Sequence, residues 1–372
     1  MTDVVVSGSS VAGLTVAYWL VRHGYSVTVV ERHPGLRPGG QAIDVRGPAL
    51  TVLERMQLRA AADHLRTRIR GSSVVDRDGD EMSQDTESTP TGGLIANPDI
   101  ELLRDDLVEL LYDSTKLDVE FAFDDTIVAL DDDGDSVAVT FEHADARTFD
   151  LVIGADGLHS NVRRLVFGPE EQFIEPLGTH AAIFTVPNFL DLDYWQTWHY
   201  GDHTMAGLYS ARNNTEARAM VGFMDPDLRI DYRDRDAQFA ELEKRMAGDG
   251  WVRPQLLEYM RTAPDFYFDE MSQIKMDHWS KGRVALVGDA GCCCSPLSGQ
   301  GTSVALLGGD ILAGELKAAG DDHELGFANY HREFNDYVKR NQWLVVDNIP
   351  GGAPIPQEVF DRIVNSLTLK DY

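Results

Sequence analysis

Gly8-Ser9-Ser10-Val11-Ala12-Gly13 is the stretch on which the reading of this chain turns. It follows an apolar run at residues 3–7 and leads into residues 11–21, where apolar side chains recur at helical spacing until Gly24. A second apolar run occupies residues 27–30, so the segment spells strand, tight turn, helix and strand, a β-α-β unit. Gly8 suits the turn, Gly13 lets helix and strand pack closely, and the helix N-terminus offers unpaired amides to a pyrophosphate. Glu31, eighteen residues beyond Gly13 at the end of the second strand, is placed to accept hydrogen bonds from a ribose. Ser10 stands where such a fingerprint usually has glycine, and its side chain limits how closely phosphate and backbone approach. An ordinary strand–helix turn is the competing reading of these six residues alone.

The chain has 372 residues and 43% hydrophobic content, enough for a large core in two domains or one elaborate one. Acidic residues outnumber basic ones by 61 to 33 for a net charge of −28, a field that repels phosphate backbones and anionic membrane surfaces. No nucleic-acid or membrane partner is expected. The chain begins without a basic leader, and no apolar stretch reaches membrane-spanning length. The three cysteines are consecutive, Cys292 to Cys294, which suits a reducing compartment better than a secreted disulfide framework. The expectation is a cytoplasmic protein, monomer or homodimer.

Further along, Ile100, Leu103, Leu107, Leu110 and Leu111 predict a helix over 99–113, with Asp99 as its cap and Arg104 on its polar face. Short strand patterns at 119–142 lead to another strand at Leu151–Ile153. From 171 to 280 half-alternating, aromatic-rich runs predict an antiparallel sheet with one buried face. Nucleotide-type sequence returns at 283–316, followed by a helix with a stripe of Phe327, Tyr330, Phe334 and Tyr337. The predicted fold is α/β. Residues 1–70, 96–170 and 281–322 form a discontinuous Rossmann-like domain, 71–95 and 171–280 an inserted sheet domain, and 323–372 a C-terminal helical segment.

Two further motifs join the first. One is Asp150-Leu-Val-Ile-Gly-Ala-Asp156-Gly157-Leu-His-Ser160-Asn-Val-Arg163. The other is Gly282-Arg-Val-Ala-Leu-Val-Gly288-Asp289-Ala290, followed by Pro296 and Gly299-Gln300-Gly301. Together, in this order, the three resemble the FAD-dependent monooxygenases of the para-hydroxybenzoate hydroxylase type. The resemblance spans nearly the whole chain and is weakest in the inserted sheet. It implies that Gly8, Ser10 and Gly13 cradle the FAD pyrophosphate, that Glu31 holds the adenosine ribose, and that Arg32, Arg37 and Arg104 contact the phosphate and ribityl region. Asp156 and Gly157 would serve both FAD and the nicotinamide cofactor. Asp289 would bind ribityl hydroxyls, and Pro296 with Gly299, Gln300 and Gly301 would line the flavin ring at a helix N-terminus, whose positive end suits the anionic reduced flavin. The bland reading of Asp289 is a turn aspartate after a strand.

The stretch Gly39-Gly40-Gln41-Ala42-Ile43-Asp44-Val45-Arg46-Gly47 resembles the family's run beside the flavin, in particular that of tetracycline-inactivating members. Asp44 and Arg46 are candidates for polar contacts there, against a solvated turn pair. Where many members carry Gly-Asp-Ala-Ala-His, this chain has Gly288-Asp-Ala-Gly-Cys-Cys-Cys, so no role falls to the missing histidine. The cysteines read as small apolar packing, and His199 and His203, four apart in a strand-rich region, make no metal site. The implied reaction is reduction of FAD by NADPH or NADH, reaction with dioxygen, and transfer of one oxygen atom to an aromatic or polycyclic substrate. The aromatic sheet would keep water away from the reactive oxygen. Phe184, Trp198, His199, Tyr200, Met205 and Phe223 are candidates for its substrate wall, each with core packing as the alternative. A flavin reductase that never uses oxygen, or a flavin-holding binding protein, fits the same cofactor motifs.

Overall fold

The computed structural model describes residues 1–248, 250–345 and 355–372. Its first layer is a six-stranded sheet in the spatial order 280–281, 284–286, 151–154, 3–7, 26–31 and 120–123. The pairings are parallel except that between 280–281 and 284–286. Val4, Val5, Val6, Val152 and Ile153 are fully buried, as continuous apolar runs are when a parallel sheet is covered on both faces. The helix Val11–Arg22 packs against the long helix Gly301–Ala319, which in turn carries the helix His323–Trp343. The aromatic stripe of that last helix, Phe327, Tyr330, Phe334 and Tyr337, is buried. Of the expected C-terminal segment, residues 346–354 lie outside the described residues, and Gln357–Val364 is helical.

The second layer is a seven-stranded sheet ordered 267–274, 174–187, 216–224, 204–211, 196–201, 72–75 and 81–85. All its pairings are antiparallel save that of 196–198 with 72–74. The expectation of one buried face is refined: one face is covered throughout and the other in part. On one, the helices Arg235–Met246 and Arg253–Thr262 press Phe239, Leu242, Leu256 and Met260 onto Phe184, Leu208, Val221 and Phe223. On the other, Trp198, Tyr209 and Ala211 meet Leu103 and Ala42 of the nucleotide half.

A correction concerns residues 99–113. Ile100–Leu103 form a strand paired antiparallel with Ala42–Val45, and only Arg104–Asp113 is helical. Ile100 and Leu102 alternate toward the core with Ile43 and Val45, so tertiary pairing overrides helical periodicity over the first turn. Arg104 therefore opens the helix as a buried residue rather than sitting on a polar face. No helix among the described residues is long and apolar enough to cross a membrane.

Candidate active site

Gly8 turns the chain at φ +106°, and its amide donates to the Val30 carbonyl at 2.7 Å. A Cβ on Gly13 would overlap the Gly8 carbonyl oxygen and stand 3.3 Å from the Ala155 methyl, so helix and turn meet backbone to backbone. The first amides of the helix Val11–Arg22, which follows this turn, have no intrahelical partner. Ser10 is its N-cap but makes no side-chain capping bond. Glu31 accepts from the Ser9 amide at 2.9 Å, the Ser9 hydroxyl at 3.0 Å and the His33 amide at 3.0 Å, so this acid also holds the turn closed.

Asp156 has a structural employment within the chain. Its carboxylate accepts from Ser160 Oγ at 2.5 Å and from the Asn161 and Val162 amides at 2.8 and 3.0 Å, anchoring the helix Asn161–Val166. Burial raises its pKa and those hydrogen bonds oppose the rise. Gly157 follows at φ +84°. Arg32 and Arg37 are exposed, with the Arg37 guanidinium 5.3 Å from the Tyr267 ring. Arg104 donates to the carbonyls of Arg37 at 2.7 Å and Gly39 at 2.8 Å, while its Nε has no partner. Burial and the neighbouring Arg37 pull its pKa down to about 9, against the pull of Asp105 and Glu31.

Asp289 remains open to solvent although protein surrounds it, the situation of a side chain on the wall of a deep cleft, and that crowding raises its pKa. Pro296 begins a single 3-10 turn, Pro296–Ser298, and the nineteen-residue helix starts at Gly301. A Cβ on Gly299 or Gly301 would meet nothing within 4 Å, so the approach to this helix N-terminus is open. Gln300 is buried with neither amide atom partnered. A pyrophosphate turn, a ribose-side acid, a buried guanidinium with a spare donor, a carboxylate in a cleft and an open helix N-terminus together fit FAD. When bound, FAD supplies two-electron chemistry and the activation of dioxygen.

Asp44 and Arg46 are not a solvated turn pair. Asp44 Oδ2 and Arg46 Nη2 form a buried ion pair at 2.9 Å, and Arg46 also reaches Asp99 at 3.1 Å and the Gly92 carbonyl at 2.8 Å. Burial lifts the Asp44 carboxyl to about 7 despite Arg46, because Glu101 and Asp99 add like charge. The Arg46 amide donates to Ser303 Oγ at 3.0 Å in the first turn of the long helix, which places this strand end beside the flavin-side cleft.

Strand register sorts the six candidates for the substrate wall. Trp198 and Tyr200 share a face with Met205, through the pairs Trp198–Gly207 and Tyr200–Met205. Phe184, His199 and Phe223 point the other way and are corrected to core: Phe184 and Phe223 pack under the two helices, and His199 Nδ1 accepts from Arg253 Nε at 3.0 Å. The period of two in a strand makes this division unavoidable once register is known. Across the sheet, the cleft-side face presents three rows. Thr185, Arg218, Tyr209 and Gln196 form a polar row, Tyr267, Ile183, Met220, Gly207 and Trp198 the next, and Asp269, Ala181, Gly222, Met205 and Tyr200 the third. The polar row grips the nucleotide half: Arg218 Nε donates to the Gly40 carbonyl at 3.1 Å, and Tyr209 Oη accepts from the Ala42 amide at 2.9 Å. Beyond it, Tyr200 is 51% and Tyr267 37% exposed, and Tyr267 lies within electrostatic reach of Asp289. Sequence reading missed Tyr209, Arg218, Ile183, Met220, Gly207 and Tyr267, because alternation gives faces only after strands are paired.

Cys292, Cys293 and Cys294 are buried and free, and burial pushes their thiols up, away from thiolate chemistry. A cavity of about 780 Å³ lies apart from these residues, between the helix Pro48–Arg55, the loop 94–99 and the helix Gln357–Val364, and it holds none of the candidate site residues.

A family model described as an FAD binding domain matches residues 1–340. A flavin-dependent monooxygenase of Legionella longbeachae serogroup 1 (strain NSW150) is 38% identical over 385 residues, covering 99% of this chain and 98% of its own. An uncharacterized protein of Mycobacterium tuberculosis (strain ATCC 25618 / H37Rv) is 79% identical over 372 residues, all of both chains. Among solved structures, tetracycline destructase Tet(51) is similar with a TM-score of 0.91 at 33% identity, covering 100% of each chain. Tetracycline destructase Tet(55) gives 0.88 at 34%, covering 100% of this chain and 99% of its own.

Proposed function

The chain belongs to the FAD-dependent monooxygenases of the para-hydroxybenzoate hydroxylase type, and on that footing we propose that it hydroxylates an aromatic, fused-ring small molecule at the expense of NADPH or NADH. One observation carries the substrate side of this reading. The seven-stranded sheet turns an apolar, aromatic face toward the same cleft that holds Asp289, with Tyr267, Met220, Met205 and Tyr200 spread across it. From the strand of Tyr267 to that of Tyr200 is four strand spacings, roughly 19 Å at ~4.8 Å each. That breadth suits several fused rings better than a single phenol, and a tetracycline-like compound is in range.

The residues divide the work. Gly8, Gly13 and the helix amides hold the pyrophosphate, Glu31 the ribose, and Asp289 with the Gly299–Gly301 backbone the flavin end. The apolar rows exclude water, so that activated oxygen meets the substrate rather than being lost as hydrogen peroxide. The nicotinamide nucleotide docks near the loop of Gly157, with Asp156 shaping that loop rather than touching the nucleotide.

The test is turnover under isotopically heavy dioxygen with NADPH or NADH, over phenols, polycyclic aromatics and tetracyclines, with products weighed by mass spectrometry. Substrate-dependent NAD(P)H oxidation with one heavy atom in the product is the expected result. Oxidation with product free of heavy oxygen would replace this reading with that of a reductase.

A further inference from the structure

Two glycines on the cleft-side face stand beside large side chains rather than in turns. A Cβ on Gly207 would lie 2.7 Å from Cδ2 of Trp198 and closer still to Cε3 and Cζ3, so the indole occupies the place of the missing side chain. On the neighbouring strand a Cβ at Gly222 would meet the His180 carbonyl oxygen at 2.9 Å and Met205 Cγ at 3.4 Å. The indole is therefore sunk into the sheet and 2% exposed, while its neighbours Tyr200, Met205 and Met220 form the accessible surface. Its ring lies within 12° of parallel to that of Tyr200. Its tilt is fixed by a hydrogen-bonded string. Trp198 Nε1 donates to Gln196 Oε1 at 3.0 Å, Gln196 Nε2 donates to Thr91 Oγ1, and Thr91 Oγ1 donates to Glu101 at 2.6 Å.

We propose that Gly207 is the specificity-determining residue for ring number: it lets Trp198 lie flat, which keeps the roof of the cleft recessed enough for fused-ring substrates. The proposal rests on the hydroxylase reading above. A methyl group at 207 has no room beside the indole within the sheet. The ring must lift toward Tyr200 and Met205, breaking its bond to Gln196 and lowering the roof over the substrate. A one-ring compound can sit clear of the lifted indole, whereas a three-ring compound spans the cleft and must pass beneath it. A methylene-sized change in a pocket changes discrimination by roughly 10- to 200-fold.

The experiment is titration of the FAD-loaded enzyme with phenol, a naphthol and a hydroxyanthracene, read by perturbation of the flavin absorbance, for the parent, Gly207→Ala, Trp198→Leu and the double variant. FAD content and thermal melting are recorded for each. Gly207→Ala is expected to weaken hydroxyanthracene about tenfold or more and phenol by less than about twofold. In the Trp198→Leu background the same change should cost less than about twofold for every ligand, since no indole remains to be lifted. An equal loss for all three ligands, or the full loss in the Trp198→Leu background, overturns the role of Gly207. If none of the three perturbs the flavin of the parent, the aromatic-substrate reading itself fails and this proposal falls with it. Should Gly207→Ala not fold, the comparison of Trp198→Leu with the parent decides: without the indole the roof stays recessed, so the preference among the three ligands should be kept, and a selective loss of hydroxyanthracene overturns the proposal.

Discussion

At Gly13 the chain has no room for a side chain, because a Cβ would overlap the Gly8 carbonyl oxygen. Gly13→Val should therefore cost more than about 4 kcal/mol or prevent folding, and FAD content should fall with it. Ser10→Ala removes a hydroxyl that makes no capping bond, and should stay within about 0.5 kcal/mol. Thermal melts and the ratio of flavin to protein absorbance check both, and equal retention in the two variants would contradict the turn as described. Glu31 differs because it has two duties. Its bonds to Ser9 and His33 are made within the chain itself, so Glu31→Ala should lower the melting temperature of the apoprotein as well as weaken FAD by about 1.5–3 kcal/mol. A variant whose apoprotein melts like the parent would show that the acid serves the ligand alone. The distance from Gly13 to Glu31 is what proposes a cofactor role for this acid, whereas its structural role was not legible, since hydrogen bonds to the turn depend on how the turn closes.

Among the elements, legibility followed the range of the interactions. The β-α-β unit and the aromatic helix were readable because their periodicity and their packing agree. Ile100–Leu103 was misread because its helical spacing lost to pairing with a strand nearly sixty residues earlier. The helices Arg235–Met246 and Arg253–Thr262 were missed among turn-rich sequence, and with them the covering of one face of the second sheet. The same strand pair carries a pH prediction. Burial pushes the Asp44 carboxyl up to about 7 in the folded chain from an ordinary 3.8, so the folded state holds more protons than the unfolded state between those values. Its contribution to stability is present below the lower value and declines as pH rises to the higher. Asp44→Asn does not titrate, so its melting temperature relative to the parent should rise from pH 4.5 to pH 8. The gain should be on the order of 2–4 kcal/mol across the window. Paired melts of parent and variant at those two pH values decide it: a constant difference would mean that Asp44 is ionised throughout.

For the whole molecule, the contact between nucleotide half and sheet rests partly on one imidazole. His159 leaves the Asp156-Gly157 loop and stacks on Tyr232 at 3.7 Å between ring centres. Its Nδ1 meets Glu170 at 2.8 Å and its Nε2 meets Asp269 of the sheet at 3.2 Å. Burial disfavours its charge, but the hydrogen bonds and charges of Asp269 and Glu170 outweigh that and raise its pKa from 6.5 to about 9. In a chain of net charge −28, a cation held between two carboxylates also relieves repulsion across the junction. Because the folded value lies above the unfolded one, this clamp contributes fully below pH 6.5 and is lost as pH rises through about 9. The span amounts to on the order of 2–3 kcal/mol. His159→Gln keeps a polar side chain but cannot carry the charge. The parent should therefore lose melting temperature between pH 6.5 and 9.5 more steeply than the variant, and the two curves should converge at the alkaline end. Differential scanning calorimetry of both proteins at fixed ionic strength measures this. Parallel curves would mean that His159 is neutral in the folded state and that the junction is held by packing instead.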